Sequence, residues 1–450
     1  MPQDMRSLSI GRYIAYGLPA LPVAAFALPI YVYIPPFYAQ ELGISLAAIG
    51  TVLTLARIID AFSWPVIGIL SDRIATRWGR RKPWIAISSP FMLAAAIMLC
   101  MPPPGSGGLY LFIWSVVIYL ASSALTLPHS AWGAELSGDY HERSSIVAWR
   151  EGLTVIGTLI ATMIPSVVIR YADSDAQLPL IGIVVFAGII LPFSITLCLR
   201  YVPETPHLNF GEQEDWRNGF KIILHNHPFR LLLAAFLLNG VANSLPATLF
   251  LLFVTHVLDA AEHQGILLFA YFAAGVISVP LWLRLAKRFS KHRVWGASLL
   301  WACLIFAWVP FLGLGDFLSF LLISIFSGFG LGADMVLPAS MQADVVDEDT
   351  MKSGQQRTGL YFALWGVATK LSLAGAIGIA FPLLDYIGFD AQASNNDSQA
   401  LLGLALLYSI APVVLKILSA MLIWNFPIDA EIQARMRQEI EQRSTSNHLV

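Results

Sequence analysis

Arg57 and Asp60 are two charged residues in an otherwise apolar run between Ala56 and Leu70. Because they lie three positions apart, they share one face of a helix. A charge inside a hydrophobic helix is costly unless it faces a bundle interior or a water-filled cavity, so it marks a functional site by default. In such a place Asp60 is able to bind and release a proton or to help coordinate Na⁺, with Arg57 beside it. The structural alternative is a static ion pair that helps helices to assemble.

Lys370 is another charge inside an apolar segment, and the sequence around it is LYFALWGVATKLSLAGAIGIA. A lysine at that depth needs an acidic partner, a substrate or a path along which its stem reaches the interface. We predict that Asp60 is its partner. On the same helix Tyr361, Trp365 and Thr369 fall at i, i+4 and i+8 and form one stripe. Aromatic faces suit the apolar side of a sugar ring, but such stripes more often pack into cores, and we slightly favour core packing.

Three further residues of the apolar segments are candidates for a function. Arg150 opens the fifth segment, where it reaches either a cavity, to bind a hydroxyl or an anionic group, or only the membrane interface. Tyr31 is a candidate substrate contact in the first segment, which is rich in proline and therefore bends or leans on its neighbours. Lys416 is an intramembrane cation to which the sequence assigns no role.

The composition places these charges in a membrane protein. Of the 450 residues, 57% are hydrophobic and only 12% are charged, whereas soluble domains carry about 25% charged residues. The cations lie in short connections rather than on one basic face, so nucleic acid is not an expected partner. The three cysteines, Cys100, Cys198 and Cys303, share no metal-ligand spacing, and we expect neither a metal site nor a disulfide.

Apolar segments long enough to span a bilayer recur along the chain. A spanning helix needs about 20 mostly apolar residues, and by that rule we predict about twelve spans. They lie near 13–38, 46–70, 84–101, 109–133, 150–170, 179–199, 229–256, 264–286, 294–312, 316–341, 358–384 and 400–425. The polar stretch 201–228 divides them into an N-terminal bundle over 1–200 and a C-terminal bundle over 229–427, followed by a tail over 428–450. This all-α, polytopic arrangement is the outline of a major facilitator transporter, in which two six-helix halves flank a midplane site.

Lysine and arginine are unevenly distributed between the connections. Alternate connections, such as 71–83, 200–228 and 284–293, are rich in them, whereas the others hold almost none. Cation-rich connections face the cytoplasm, so we predict cytoplasmic termini and a multi-pass protein of the cell membrane, with a bacterial inner membrane as the expected location.

The same connections supply a predicted cytoplasmic gate. The first cationic connection, SDRIATRWGRRKPW, has a shortened repeat in LRLAKRFSKHRVW, and an acidic cluster ends the tenth span. We predict that acidic and cationic groups pair here and separate with each transport cycle. The predicted gate residues are Asp72, Arg73, Arg80, Arg81, Glu135, Asp344 and Asp347.

Three motifs from both halves resemble one known family. ARIIDAFSWPVIGILSDRIATRWGRRKPWI resembles the second helix and following connection of the glycoside–pentoside–hexuronide:cation symporters, the melibiose permease-like family. PHSAWGAELSGDYHERSSIVAWREG is similar to that family's fourth-to-fifth-helix segment, and MQADVVDEDTMKSGQQRTGLYFALWGVATK to its tenth-to-eleventh-helix segment. The resemblance implies cation-coupled symport by alternating access. It makes Asp60 a cation-site acid, Lys370 a lysine essential to coupling and Arg150 an arginine near the sugar.

The chain departs from that family at three positions. Trp64 stands where the melibiose permease has a second cation-site acid, and Ala24 and Thr126 align with two of its sugar-binding acids. A Na⁺ site needs several oxygen ligands, which one carboxylate beside a tryptophan supplies poorly, whereas a proton needs one titratable group. We therefore favour H⁺ over Na⁺ as the coupling ion. Thr126 stays a candidate substrate contact.

The expected substrate is a sugar or glycoside. Related vertebrate transporters of the superfamily carry lysophospholipids, so a lysolipid or another amphiphile is the alternative, as is an uncoupled facilitator or exporter of the same fold. An enzyme is not expected, because the sequence has no nucleotide-binding loop, metal spacing or nucleophile motif. We expect no cofactor besides the coupling ion, membrane lipid as the surroundings, and a monomer.

Overall fold

The computed structural model is almost entirely helical. It describes residues 9–74, 76–136, 140–169, 177–204, 223, 225–353, 358–393, 396–429, 432 and 435. The described helices are α1 (Ile10–Gly17), α2 (Ala20–Val32), α3 (Ile34–Gln40), α4 (Leu46–Arg73), α5 (Lys82–Cys100), α6 (Gly108–Glu135), α7 (Tyr140–Ile169), α8 (Leu178–Tyr201), α9 (His227–His256), α10 (Gln264–Phe289), α11 (Lys291–Phe306), α12 (Phe317–Ser353), α13 (Thr358–Tyr386) and α14 (Ser398–Ile423). Short 3-10 helices, Ala261–His263 and Val309–Phe311, precede α10 and α12.

Ten helical stretches among the described residues are long and apolar enough to cross a membrane. They fall on α4 to α6 and α8 to α14, at the positions of ten of the predicted spans. The other two predicted spans, 13–38 and 150–170, coincide with α1 to α3 and with α7. An apolar stretch of this length satisfies its backbone hydrogen bonds inside the helix, which is the condition for lying in lipid.

Prolines divide the first predicted span at two points. Pro19 lies between α1 and α2, and its missing N–H cannot continue the hydrogen-bond ladder. Tyr33 separates α2 from α3, and Pro35 and Pro36 occupy the first turn of α3. Proline is tolerated there because a first-turn N–H has no acceptor within its own helix. The segment is therefore three short helices rather than one bent helix.

The described chain forms two compact units. The first unit takes in the described residues up to 208 with 260–269 and 377–396, and the second unit takes in the remainder. Within the first unit α4 and α5 pack against α6, and α2 packs against α7 and α8. Within the second unit α9 packs along α14, and α11 packs against α12 and α14. These contacts position the charged side chains of each unit.

A buried apolar cluster holds the second unit together. Its largest fully buried side chains include Phe229, Trp295 and Tyr361, which come from α9, α11 and α13. Burying aromatic side chains of this size removes a large apolar area from contact with the surroundings and fixes the spacing of the helices. The polar groups of the second unit are built into this packed interior.

Equivalent connections in the two units turn at a residue with positive φ. Gly79 has a φ of 106° before α5, and Ser290 has a φ of 79° before α11. Trp84 and Trp295 stand at the same distance after them. This match supports the internal repeat that the two cationic connections suggest. Ser290 adopts a conformation that is unfavourable for a residue with a side chain, whereas glycine adopts it freely.

Glu204 closes the connection before α5. Its Oε1 accepts hydrogen bonds from the main-chain N–H groups of Arg80 and Arg81, the second over 2.6 Å. Because these groups begin a helix, the carboxylate caps a terminus whose dipole favours negative charge. Lys82 Nζ donates to the carbonyl of Leu199 over 2.9 Å. The cationic connection is thus tied to the end of α8.

The tenth predicted span continues beyond its predicted end near residue 341. α12 runs to Ser353, and Pro338 lies inside it without ending it. The acidic residues between 344 and 349 therefore lie on the helix itself rather than in a connection.

We expect Gly79→Ala to lower the thermal unfolding temperature of the detergent-purified chain more than Gly105→Ala does. Both glycines have positive φ, 106° and 81°, so both substitutions add backbone strain of about 1 kcal/mol or more. Only at Gly79 does the added Cβ collide with the carboxylate of Glu204, whereas at Gly105 it meets open space. Equal unfolding temperatures for the two variants would show that the Glu204 cap adds nothing to stability.

Candidate functional site

Asp60 is enclosed by protein within the first unit. Its exposed fraction is 1%, and its side chain lies between α4 and α6. Ser123 Oγ donates a hydrogen bond to Asp60 Oδ1 over 2.5 Å. Arg57 Nη1 lies 3.6 Å from Asp60 Oδ2, which makes a loose ion pair. One oxygen of the carboxyl group is therefore firmly bonded, and the other is held by charge at a longer distance.

Arg57 has a second partner besides Asp60. Its guanidinium carbon lies 3.7 Å above the centre of the Tyr119 ring, a cation–π contact. Tyr119 and Ser123 fall at i and i+4 of α6, so one face of that helix serves both charged groups. We did not predict either residue, because neither is charged.

This arrangement is suited to a change of charge at Asp60. When the carboxyl group binds a cation or a proton, the guanidinium keeps the Tyr119 ring as a partner. When the carboxyl group is ionised, Arg57 and the Ser123 hydroxyl both stabilise its negative charge. In neither state is a buried charge left without a partner. An unpaired charge would be costly in an apolar interior.

Arg150 lies in another polar network of the first unit. Its Nη2 is 2.6 Å from Glu151 Oε1, and its guanidinium also lies near the Tyr16 hydroxyl. Tyr16 Oη donates to the carbonyl of His129 over 2.9 Å, and His129 Nε2 donates to the carbonyl of Tyr16 over 2.8 Å. The network joins α1, α6 and α7. Tyr16 and His129, which we did not predict, hold the Arg150 side chain on the protein side of α7.

The substrate candidates of α13 have different surroundings. Tyr361 is fully buried, and its hydroxyl accepts a hydrogen bond from Asn226 over 3.2 Å, which favours the packing interpretation. Trp365 is half-buried and stacks on Phe236 with ring centres 3.8 Å apart. Thr369 is exposed and donates to the carbonyl of Trp365 over 3.0 Å.

Lys370 is half-buried on α13, in the second unit. Asp60, the partner that the sequence predicts for it, belongs to the first unit. Their pairing stays a prediction.

Lys416, which had no assignment, belongs to a buried cluster of the second unit. Its Nζ donates to Asn239 Oδ1 over 2.8 Å and to Asn243 Oδ1 over 2.6 Å. Asp334 Oδ2 lies 3.6 Å away, and Asp334 also accepts hydrogen bonds from Asn243 and Trp295. The sequence signal for Asp334 is a single carboxylate in an apolar span, the same signal that identifies Asp60, and we missed it.

The predicted gate residues are only partly described. Arg81 Nη1 donates to Ser71 Oγ over 2.9 Å, and Asp344 accepts hydrogen bonds from Lys291 Nζ over 2.6 and 2.8 Å. Asp344 therefore pairs with a cation of its own unit. Asp347 is half-buried on α12, and Arg80 has the main-chain contact with Glu204 given above. The side chains of Asp72, Arg73 and Glu135, and likewise that of Tyr31, lie outside the described part of the structure.

The three positions at which the chain departs from the melibiose permease-like family carry either an apolar side chain or a hydroxyl group that is hydrogen-bonded within its own helix. Ala24 is buried, and Trp64 is half-buried. Thr126 donates its hydroxyl to the carbonyl of Ser122 over 2.8 Å, a bond within its own helix. Among the described residues, no group of three His, Cys, Asp or Glu side chains is arranged to hold a metal ion.

The apolar helices and the enclosed ionisable groups define a multi-pass membrane protein of the transporter class. The crystal structure of the nucleoside transporter NupG aligns over 93% of this chain and 98% of its own, with a TM-score of 0.61 and 14% identity. The chain therefore has the predicted major facilitator fold.

The chain belongs to the MFS/sugar transport protein family, which it matches over residues 15–430. It is 23% identical to the mouse sodium-dependent lysophosphatidylcholine symporter 1, over 98% of this chain and 90% of the relative. It is 24% identical to the inner membrane symporter YicJ of Escherichia coli K12, over 92% of this chain and 91% of the relative. The predicted class is confirmed, and the finer resemblance to melibiose permease-like symporters is confirmed only as far as this broader family.

We expect Gly133→Ala to lower both the unfolding temperature and the transport rate. The added Cβ collides with the Tyr16 hydroxyl, which links α1 to α6 beside Arg150. Overpacking of this kind costs about 1–3 kcal/mol. Gly152→Ala on α7 is the matched control, because its Cβ meets open space and alanine favours the helix. Equal behaviour of the two variants would mean that the Tyr16 contact does not position the network.

Proposed function

We propose that the chain is a secondary active symporter that couples substrate movement to a cation bound at Asp60. The observation that carries this proposal is the Asp60 carboxyl group, which is 1% exposed inside a membrane span and is bonded to Ser123. A static ion pair would favour close contact with Arg57, but the two groups are 3.6 Å apart and Arg57 has Tyr119 as a second partner. The arrangement therefore suits an acid whose charge changes during a cycle.

A proton is the favoured coupling cation. A metal cation needs several oxygen ligands, and this sequence has Trp64 where the melibiose permease-like family has a second acid beside Asp60, whereas a proton needs one titratable group. Na⁺ is the alternative, and the name of the mouse relative, a sodium-dependent symporter, supports it.

The first candidate substrate is an amphiphile of the lysophospholipid class. The alignment with the mouse lysophosphatidylcholine symporter covers nearly the whole of both chains. Ala24 and Thr126 stand where the resemblance to the melibiose permease-like family expects sugar-binding acids, and carboxylates are the groups that bind sugar hydroxyls most strongly. A site without them is better matched to an apolar chain with a polar headgroup than to a free sugar.

A sugar or glycoside is the second candidate. The chain belongs to a family whose description includes sugar transport. Trp365 offers an aromatic face of the kind that packs against sugar rings. In both cases we propose cytoplasmic termini, with the cation-rich connections inside, and a cytoplasmic gate built from the charged groups at that end.

We expect Asp60→Asn to abolish concentrative uptake in proteoliposomes while leaving the unfolding temperature close to that of the unmodified chain. Asparagine keeps the size of the side chain and an acceptor for Ser123, but it cannot exchange a proton or neutralise a cation. Concentrative uptake that survives this substitution would contradict coupling at Asp60 and favour an uncoupled facilitator.

We expect Ser123→Ala to shift the half-saturating cation concentration by about tenfold, or the midpoint of the pH profile by about one unit toward higher pH, because the ionised carboxyl group loses one of the hydrogen bonds that stabilise it. Ser122→Ala is the matched control on the same helix, because the hydroxyl of Ser123 is the one that donates to Asp60. The measurement is the half-saturating cation concentration, or the midpoint of the pH profile. Identical midpoints for the two variants would remove Ser123 from the cation site.

One set of measurements distinguishes between the candidate substrates and between the candidate coupling ions. The unfolding temperature of the purified chain is measured with lysophosphatidylcholine, with melibiose and with sucrose, each in Na⁺ or choline buffer at two pH values. A ligand that binds only the folded chain raises this temperature. A rise with lysophosphatidylcholine alone supports the first candidate, and a rise with a sugar alone supports the second. A rise that needs Na⁺ at both pH values would overturn the preference for a proton.

A further inference from the structure

The second unit contains a polar cluster inside its apolar interior that the proposed transport site does not use. Four helices contribute to it: α9 with Asn239 and Asn243, α11 with Trp295, α12 with Asp334, and α14 with Lys416. The side chains of Lys416 and Asp334 are 11% and 10% exposed. Asn239 and Asn243 fall at i and i+4, so their amide groups lie on the same face of α9.

Three oxygen atoms converge on the Lys416 ammonium. Asn239 Oδ1 and Asn243 Oδ1 accept its hydrogen bonds over 2.8 and 2.6 Å, and Asp334 Oδ2 lies 3.6 Å from Nζ. A carboxylate and two amide carbonyls facing one point are the donor set with which proteins bind hard cations. The ammonium occupies that point.

The remaining contacts fix the orientation of the oxygen atoms. Asn243 Nδ2 donates to Asp334 Oδ2 over 3.0 Å, so its Oδ1 must face the other way, toward Lys416. Trp295 Nε1 donates to Asp334 Oδ1 over 2.6 Å and holds the carboxylate from the opposite side. These contacts keep the oxygens of Asn243 and Asp334 in place, so the arrangement of those two groups does not depend on Lys416 alone.

We propose that this cluster is a monovalent-cation site whose resident cation is the tethered ammonium of Lys416. A free ion such as Na⁺, K⁺ or NH₄⁺ enters only when the lysine side chain is removed and leaves room for it. Asp334 lies between the ends of its span with a side chain that is 10% exposed, and the tethered cation keeps it neutralised. Asp334 therefore does not compete with Asp60 for the coupling ion, a consequence that rests on the proposed function.

The test uses the unfolding temperature of the purified full-length chain in the Asp60→Asn background, so that no ion effect arises at Asp60. Lys416→Ala is added to create space, and Lys416→Met is added as a matched control that removes the charge but fills the space. Each protein is melted in NaCl, KCl, NH₄Cl and choline chloride at equal ionic strength. We expect at least one of the small cations to raise the unfolding temperature of the Ala variant saturably, relative to choline. We expect the Met variant and the Asp60→Asn parent to show no such rise.

Adding Asp334→Asn to the Lys416→Ala protein should abolish the rise, because the cation then loses its carboxylate. The proposal is overturned if the Ala variant melts at the same temperature in all four salts, or if only acidification stabilises it, since Asp334 would then take a proton instead. It is also overturned if the Ala and Met variants cannot be recovered in any salt although the variant that combines Lys416→Met with Asp334→Asn can. None of these measurements involves transport, so a failure here is distinct from survival of uptake in Asp60→Asn, which would overturn the proposed function alone.

Discussion

Every charged group in the interior of a membrane span must find its partners within the protein, because lipid offers neither hydrogen bonds nor counter-charges. This constraint accounts for the polar architecture of both units. Asp60 is bonded to Ser123 and faces Arg57, and the Arg57 guanidinium rests on the Tyr119 ring. Replacing a whole buried set of charged and polar partners by apolar residues is often neutral for stability. The sets are therefore retained for what they do rather than for stability.

The two units meet this constraint in different ways. In the first unit the ion pair is loose, and the cation has an aromatic partner that it keeps when the acid changes charge. In the second unit Lys416 donates short hydrogen bonds to two asparagines, and the acid accepts a short hydrogen bond from Trp295. A loose ion pair suits a site that exchanges its ion, and a tightly bonded ammonium suits a site that does not.

Features carried by strong local signals could be predicted from the sequence. Ten spans follow from apolar length alone, and Asp60 and Arg57 follow from charge in an apolar run. Ser123 and Tyr119 could not be predicted, because an uncharged residue becomes a site residue only when two helices bring it to a charge. Glu204 was missed for a similar reason: its capping role depends on the connection before α5 returning to the end of α8.

Other residues carry a signal in the sequence, but the role of each residue depends on how the helices pack around it. Asp334 carries the same sequence signal as Asp60, yet its role emerges only with the asparagines of α9 and the lysine of α14. Tyr361 lies on an aromatic stripe for which core packing is the slightly favoured interpretation, and its edge-to-face contact with Phe229 is consistent with that interpretation.

The divided first segment has a mechanical consequence. Bending a continuous helix requires breaking hydrogen bonds. In this segment the regular hydrogen-bond ladder is already interrupted at two points: at Pro19, which has no N–H to donate, and at Tyr33, which lies between the end of α2 and the start of α3. The segment therefore consists of three short helices joined at two points, and the angles between these helices can change by rotation about a few backbone bonds. A rearrangement of this unit can begin at those joints without first melting any helix.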